Sequence, residues 1–186
     1  MNSDPVKEGT QATRARVESA LEGLGCRFEE VHGDVSIHAE PDRLHEVLTA
    51  LKVHAGFDQA TFVTAIDHSQ DAAEPSGRSG RFELHHQLLS YDHKDRVRVH
   101  TRLVDADEPR ATSCIDLWPG AAYMERECFD MFGIRFDGHE ELKRLLMPEG
   151  YGHHPLRKDF PHQGIEPDRL YREWDAQRRA SWSPEE

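Results

Sequence analysis

Apolar and polar positions along the first half of the chain mark a helix, a hairpin and a second helix. Val17, Ala20, Leu21 and Leu24 stand at i, i+3, i+4 and i+7, and Gly25 follows, which predicts an amphipathic helix with a glycine stop. Residues 26–32 and 35–39 are short strand-like runs on either side of Gly33-Asp34, the pattern of a hairpin. Pro41 then opens a second helix whose Leu44, Val47, Leu48 and Leu51 repeat the helical spacing, with Gly56 near its end.

The chain turns β-rich over residues 61–66. After a polar loop containing Glu74-Pro75-Ser76-Gly77 come two longer runs, 81–91 and 96–104. In the second, Val97, Val99, Thr101 and Leu103 alternate with Arg98, His100 and Arg102, so one face is buried and the other wet. Asp92-His93-Lys94-Asp95 suits the connecting turn. A further helix starts at Pro119 and stops at Gly133, with Ala121, Met124, Cys128 and Met131 on its buried stripe and Arg126 and Asp130 one turn apart and able to pair. The economical assembly is α+β: a mostly antiparallel sheet with helices packed on one face, plus an extended C-terminal arm. The expected divisions are a polar tail over residues 1–10, one α+β domain over 11–161 and an extension over 162–186. In the extension Leu170 and Trp174 stand i, i+4 among charges, read as a loosely held segment or short helix that orders on a partner.

A chain of 186 residues is long enough to bury a self-sufficient core. Asp and Glu number 35 against 23 Lys and Arg, a formal charge of -12, which argues against a phosphate-binding surface and so against nucleic acid. Against that background the basic pairs Lys143-Arg144 and Arg157-Lys158 mark a docking surface for an acidic partner. The three cysteines, Cys26, Cys114 and Cys128, form no C-x-x-C pair. They point to a reducing compartment and cannot supply the four thiolates of an ordinary iron–sulfur cluster. The first ten residues hold Asp4, Pro5 and Glu8 and lack both a signal core and an Arg-rich transit pattern, so the reading is cytosolic. No apolar run reaches the roughly 18 residues of a spanning helix, so membrane association must come through partners.

Thirteen histidines invite a metal reading. His139-Glu140-Glu141-Leu142-Lys143 lacks the second imidazole of a metalloprotease helix, and the adjacent pairs His85-His86 and His153-His154 would point to opposite faces of a strand. They are read as surface or hydrogen-bonding residues, with no metal site expected. Gly23-Leu24-Gly25-Cys26-Arg27-Phe28 lacks the third glycine of a dinucleotide loop and follows a helix where a strand should precede it. Glu125, Glu127 and Asp130 can be read as acid/base carboxylates, but no cleft argues for that chemistry, and an ion-pair network with Arg126 or with a partner's arginine is the better reading. Cys128 reads as inert core. Arg157-Lys158-Asp159, between Pro155 and Pro161, reads as a stiff extended arm that docks. No catalytic, cofactor-binding or metal-binding residue is expected.

One ordered set of residues goes further. Glu125-Arg126-Glu127, Asp130, Phe132-Gly133, His139, Leu142-Lys143-Arg144-Leu145-Leu146 and His154-Pro155-Leu156-Arg157-Lys158-Asp159-Phe160-Pro161 are preceded by Thr64-Ala65-Ile66-Asp67, Arg81-Phe82-Glu83, Leu88-Leu89-Ser90 and Asp116-Leu117-Trp118-Pro119. From about Thr61 to Pro161 this order resembles the 30 kDa subunit family of respiratory complex I, the C subunits of proton-pumping NADH:quinone oxidoreductase. Tyr123, Glu140 and His153 depart from the usual family pattern without removing it. The resemblance implies a non-redox subunit of the peripheral arm, on the cytoplasmic face of a bacterial inner membrane. It would pack against the large neighbouring D subunit and the cluster-bearing subunits, while flavin, iron–sulfur clusters and quinone belong to those partners. Glu125, Arg126, Glu127, Asp130, Phe132, Gly133, His139, Arg144, Pro155, Leu156, Arg157, Lys158, Asp159, Phe160 and Pro161 would hold fold and contacts. Related membrane-bound hydrogenases and oxidoreductases fed by other donors use an equivalent subunit and stay open as alternatives. A stand-alone histidine-dependent metalloenzyme is a more distant one.

Overall fold

Helix α1 (Pro5–Ala20) begins inside the stretch read as a tail, and Thr10 and Thr13 on it are buried. The computed structural model describes residues 5–71 and 80–165 and positions 172, 173, 176, 177, 179 and 180. The loop at Glu74-Pro75-Ser76-Gly77 and the pair Leu170 and Trp174 lie outside the described residues. Val17 and Leu21 are buried where α1 meets the sheet, and Leu24 packs on the same core. The second helix starts later than Pro41. Residues Pro41–Arg43 form a 3-10 turn, and α2 (Leu44–Val53) continues from it with Leu44, Val47, Leu48 and Leu51 buried as the spacing predicts. Each of these fully buried side chains contributes about 2 kcal/mol of transfer free energy.

The sheet has five strands in the order β1-β2-β5-β4-β3, with β1 (Arg27–Val31), β2 (Asp34–His38), β3 (Gln59–Asp67), β4 (Phe82–Ser90) and β5 (Asp95–Leu103). Only β2 and β5 run parallel; the other neighbours are antiparallel. The β1–β2 turn is centred on His32 at φ 53 and Gly33 at φ 83, the left-handed pair that matches the twist of a two-residue hairpin. Alternation gives the sheet two faces. Val35, Ile37, Val63, Ala65, Leu84, Leu88, Val97 and Val99 are buried in the core beneath the helices. Ser36, His38, Glu83, His85, Arg98, His100 and Arg102 fall on the other face by the same parity.

Helix α3 (Ala121–Phe132) packs over β3, and Gly133 closes it at φ 78 with its N–H on the Phe129 carbonyl. Its buried positions are Ala121, Glu125, Cys128, Asp130, Met131 and Phe132, with Met124 only partly covered. Two carboxylates therefore lie on a stripe that periodicity assigns to apolar residues. A small parallel pair, β6 (Arg110–Thr112) with β7 (Arg135–Asp137), ties the chain on either side of α3 together. From His139 to Ile165 the chain runs as an arm without helix or strand. It is folded back by turns, not extended: the N–H of Leu156 reaches the Met131 carbonyl at 3.1 Å.

Candidate functional site

The residues of the family-like stretch converge on the C-terminal end of α3, where a helix leaves carbonyls without intrahelical donors. Asp130 is the centre. Its Oδ2 accepts the N–H groups of Leu145, Leu146 and Met147 at 3.0, 2.6 and 2.9 Å, and its Oδ1 accepts from Arg144 Nη1 at 2.7 Å. Burial alone would raise the pKa of this carboxyl. The N–H groups of Met147 and Leu146, the Arg144 guanidinium and the N–H of Leu145 outweigh that and hold it below the usual aspartate value. A negative charge is thus kept inside by folding a loop around it.

The orphan carbonyls of α3 are taken by the arm. His154 Nδ1 donates to the Asp130 carbonyl at 2.9 Å, the Leu156 N–H to Met131, and Arg157 Nε to the Phe132 carbonyl at 2.6 Å. Arg144 adds bonds to the carbonyls of Asp130 and His153 at 3.3 and 3.1 Å. Gly133 is required here twice over. Its φ lies in the left-handed region, and a Cβ would collide with Arg157 Nη2 and stand 2.7 Å from His154 Nε2. On the helix flank, Arg126 donates to the carbonyls of Lys143 and Arg144 at 3.0 and 2.9 Å. His139 Nε2 donates to the Ala122 carbonyl at 3.1 Å while its Nδ1 accepts from the Glu141 N–H.

A second clip fastens the arm to the sheet. Asp67, at the end of β3, accepts from Arg81 at 3.0 and 2.7 Å and from the N–H groups of Ser69 and Lys158 at 2.9 and 2.8 Å. Burial opposes its charge, but Arg81 and those N–H groups keep its pKa far below the usual range. Arg81 also bridges to Asp159 at 2.9 Å, and Gln70 reaches the Lys158 carbonyl. The Arg81 and Arg157 guanidiniums lie over the Phe82 ring, 4.8 and 5.2 Å from its centroid, the favourable position for cations.

The charges predicted to pair do not pair as expected. Arg126 and Asp130 are one turn apart but turn to different loop partners, because Asp130 faces inward and Arg126 lies along the flank. Glu125 is fully buried and belongs to no ion-pair network among the described residues. It accepts Ser113 Oγ–H at 2.6 Å and the Cys114 N–H at 2.8 Å, pinning the loop before α3. Glu127 is exposed and makes no ion pair among the described residues. Arg144 and Arg157 are spent on carbonyls and carboxylates of their own chain, so the expected basic docking surface is left with Lys143 and Lys158. Pro155, Leu156, Phe160 and Pro161 shape the turns of the arm, with Leu156 half-exposed and the Phe160 N–H on the Arg157 carbonyl. Sequence reasoning gave no separate role to Asp67, Arg81 or Ser113. The signal available for Asp67 and Arg81 was a charged residue at the edge of an apolar alternation, and Ser113 had none.

Asp130 and Asp67 each accept four hydrogen bonds, and burial pushes the thiols of Cys114 and Cys128 well above the usual cysteine value, away from the reactive thiolate. Apolar side chains are left outward around this cluster, Tyr123, Leu145, Leu146 and Leu156. Among the described residues no helix is long and apolar enough to cross a membrane.

Comparison with known proteins places the chain in a family. Residues 37–166, from β2 to the end of the arm, match the family described as respiratory-chain NADH dehydrogenase, 30 Kd subunit. The NADH-quinone oxidoreductase C subunit of Francisella philomiragia is 36% identical over 171 residues, covering 80% of each chain. The protein of that name from Roseiflexus castenholzii is 38% identical over 147 residues, covering 79% of this chain and 81% of its own. Among solved structures, the trypsin-resistant fragment of Nqo5 superposes with a TM-score of 0.61 at 27% identity, over 70% of this chain and 99% of the fragment. A chain of an archaeal membrane-bound sulfane sulfur reductase shares the fold, with a TM-score of 0.66 at 23% identity over 94% and 97% of the two chains. The chain therefore belongs to the 30 kDa subunit family of respiratory-chain NADH dehydrogenase, whose bacterial relatives are the C subunits of NADH-quinone oxidoreductase.

Proposed function

We propose that this chain is the non-redox scaffold of the quinone-reducing part of a proton-translocating NADH:quinone oxidoreductase, on the cytoplasmic face of a bacterial membrane. It is a subunit of that enzyme by family, and its own residues supply no reacting group. Flavin, iron–sulfur clusters and quinone are assigned to the partner subunits. The large D subunit and the cluster-bearing subunits are the neighbours that the ordered arm and its outward Leu145, Leu146 and Leu156 would meet. The observation that carries this reading is that Asp130, Asp67, Arg144 and Arg157 find partners within the chain. A preformed, rigid arm binds with less ordering entropy than a loose one, which is what a docking element needs.

A pull-down of the tagged chain from detergent-solubilised native membranes, with partner identification and an NADH:quinone activity assay, tests the proposal. Flavin- and cluster-bearing partners with that activity support it. Nickel-binding partners without NADH activity would place the chain in a hydrogenase, and recovery of the chain alone would overturn the scaffold reading. The shared fold with the sulfane sulfur reductase favours a relative with another electron donor as the second reading, which the same activity assay separates.

A further inference from the structure

The sheet face away from the helices carries a histidine row that this function does not use. His38 on β2 is in register with His100 on β5, and His100 is in register with His85 on β4. Alternation sends all three rings, with Glu83, to the same face. The rings of His38 and His100 are 4.9 Å apart between centroids and those of His85 and His100 4.3 Å. One nitrogen each from His38 and His100 and one Glu83 carboxylate oxygen all lie within 4.8 Å of one another.

We propose that His38, His100 and Glu83 bind one divalent transition-metal ion of the zinc type on this outer sheet face. Two imidazoles and a carboxylate are a donor set that suits Zn2+, with a fourth position left for water. Bonds of about 2.0–2.1 Å in tetrahedral array put ligand atoms roughly 3.3 Å apart. His100 Nδ1 and Glu83 Oε1 stand at 3.0 Å in a hydrogen bond that the ion would replace, and the His38 nitrogen lies within 4.8 Å of both donor atoms. The other Glu83 oxygen lies 2.6 Å from Arg102 Nε in an ion pair, which orients the carboxylate with Oε1 toward His100 Nδ1 at 3.0 Å and His85 Nε2 at 3.4 Å. Acidic groups outnumber the guanidinium: Glu83 is joined by Glu29 Oε2 at 3.3 Å from His38 Nε2, and by Asp71 beside His68, whose Nε2 is 3.3 Å from Glu83. Such an ion would clamp three strands together, and being redox-inert it is compatible with a scaffold role without resting on it.

The test uses the full chain purified without a polyhistidine tag, titrated calorimetrically with Zn2+ at neutral pH, with Co2+ absorption to read the geometry. One equivalent of Zn2+, a tetrahedral Co2+ spectrum and a zinc-dependent rise in melting temperature are expected. His38→Gln and Glu83→Gln should each weaken binding by at least the ~10–100-fold that disturbing an outer-shell partner costs, while His162→Gln, at an exposed position on the arm, should leave it unchanged. His38 is the last residue of β2, so its variant keeps the test usable where His100→Gln fails to fold. Absence of stoichiometric binding, or affinity unchanged in both His38→Gln and Glu83→Gln, overturns the site.

Discussion

Arg157 Nε donates to the carbonyl of Phe132 at 2.6 Å, so a residue of the arm completes the C-terminal end of a helix 25 positions earlier. The same guanidinium lies over Phe82, and Gly133 makes room for it. Helix end, sheet and arm therefore form one cooperative unit. Arg157→Ala should destabilise the chain by about 2 kcal/mol, the loss expected for a charged hydrogen bond to a buried acceptor. Urea denaturation measures this, and limited proteolysis should show cleavage moving into residues 139–161. Gly133→Ala should do at least as much harm, since it adds left-handed strain to a collision with Arg157 and His154. If Gly133→Ala is as stable as wild type, the arm does not dock as described.

Asp130 separates fold from surface charge. Asp130→Asn keeps the shape but turns one oxygen into a donor facing N–H groups or Arg144, and should cost about 3 kcal/mol. Glu127→Gln, on the outward side of the same helix, should stay within about 0.5 kcal/mol. Thermal unfolding of the two variants side by side checks the contrast. Equal effects would mean that Asp130 is no more than a solvated charge.

His86 makes acid stability measurable. It is fully buried on the helix-covered face of β4, neither ring nitrogen has a hydrogen-bond partner among the described residues, and burial lowers its pKa to about 3. A depressed histidine pKa means that the unfolded chain takes up the proton first. Stability is full above the unfolded value near 6.5 and falls as pH drops toward 3. Between pH 7 and 5 this one group should remove about 2 kcal/mol. His86→Leu should flatten the denaturation profile in that window and raise stability at pH 5. The depressed carboxylates Asp67 and Asp130 act only at lower pH, below the usual aspartate value.

Leu146 and Leu156 are 62% and 51% exposed beside the anchored arm, and neither side chain holds the fold. Leu146→Asp and Leu156→Asp should leave the melting temperature of the isolated chain within about 2 °C while reducing its recovery with the membrane complex. Normal recovery of both variants would move the docking surface elsewhere, the outer sheet face being the next place to look.

The elements were largely legible before the structure. Val97, Val99, Thr101 and Leu103 alternate because a strand repeats every two residues, and Leu44, Val47, Leu48 and Leu51 recur because a helix turns every 3.6. Both periods are local, so they survive without knowledge of the fold. The charged residues were less readable. Arg126 and Asp130 had the spacing of an ion pair, yet each went to loop partners 14 to 18 positions away. The histidines behave likewise: His38, Glu83 and His100 lie far apart in the chain and meet through strand register.

What the amino-acid order settled is the α+β layering, the stop at Gly133 and the family, because these rest on short-range periodicity and on an ordered set of residues. What the folded arrangement settled is where the charge goes. Burial of Glu125, Asp67 and Asp130 is tolerable only where donors converge from distant segments, and that convergence depends on how β3, α3 and the arm pack. Desolvation and hydrogen bonding act through space, so they first acquire values once the chain has closed on itself.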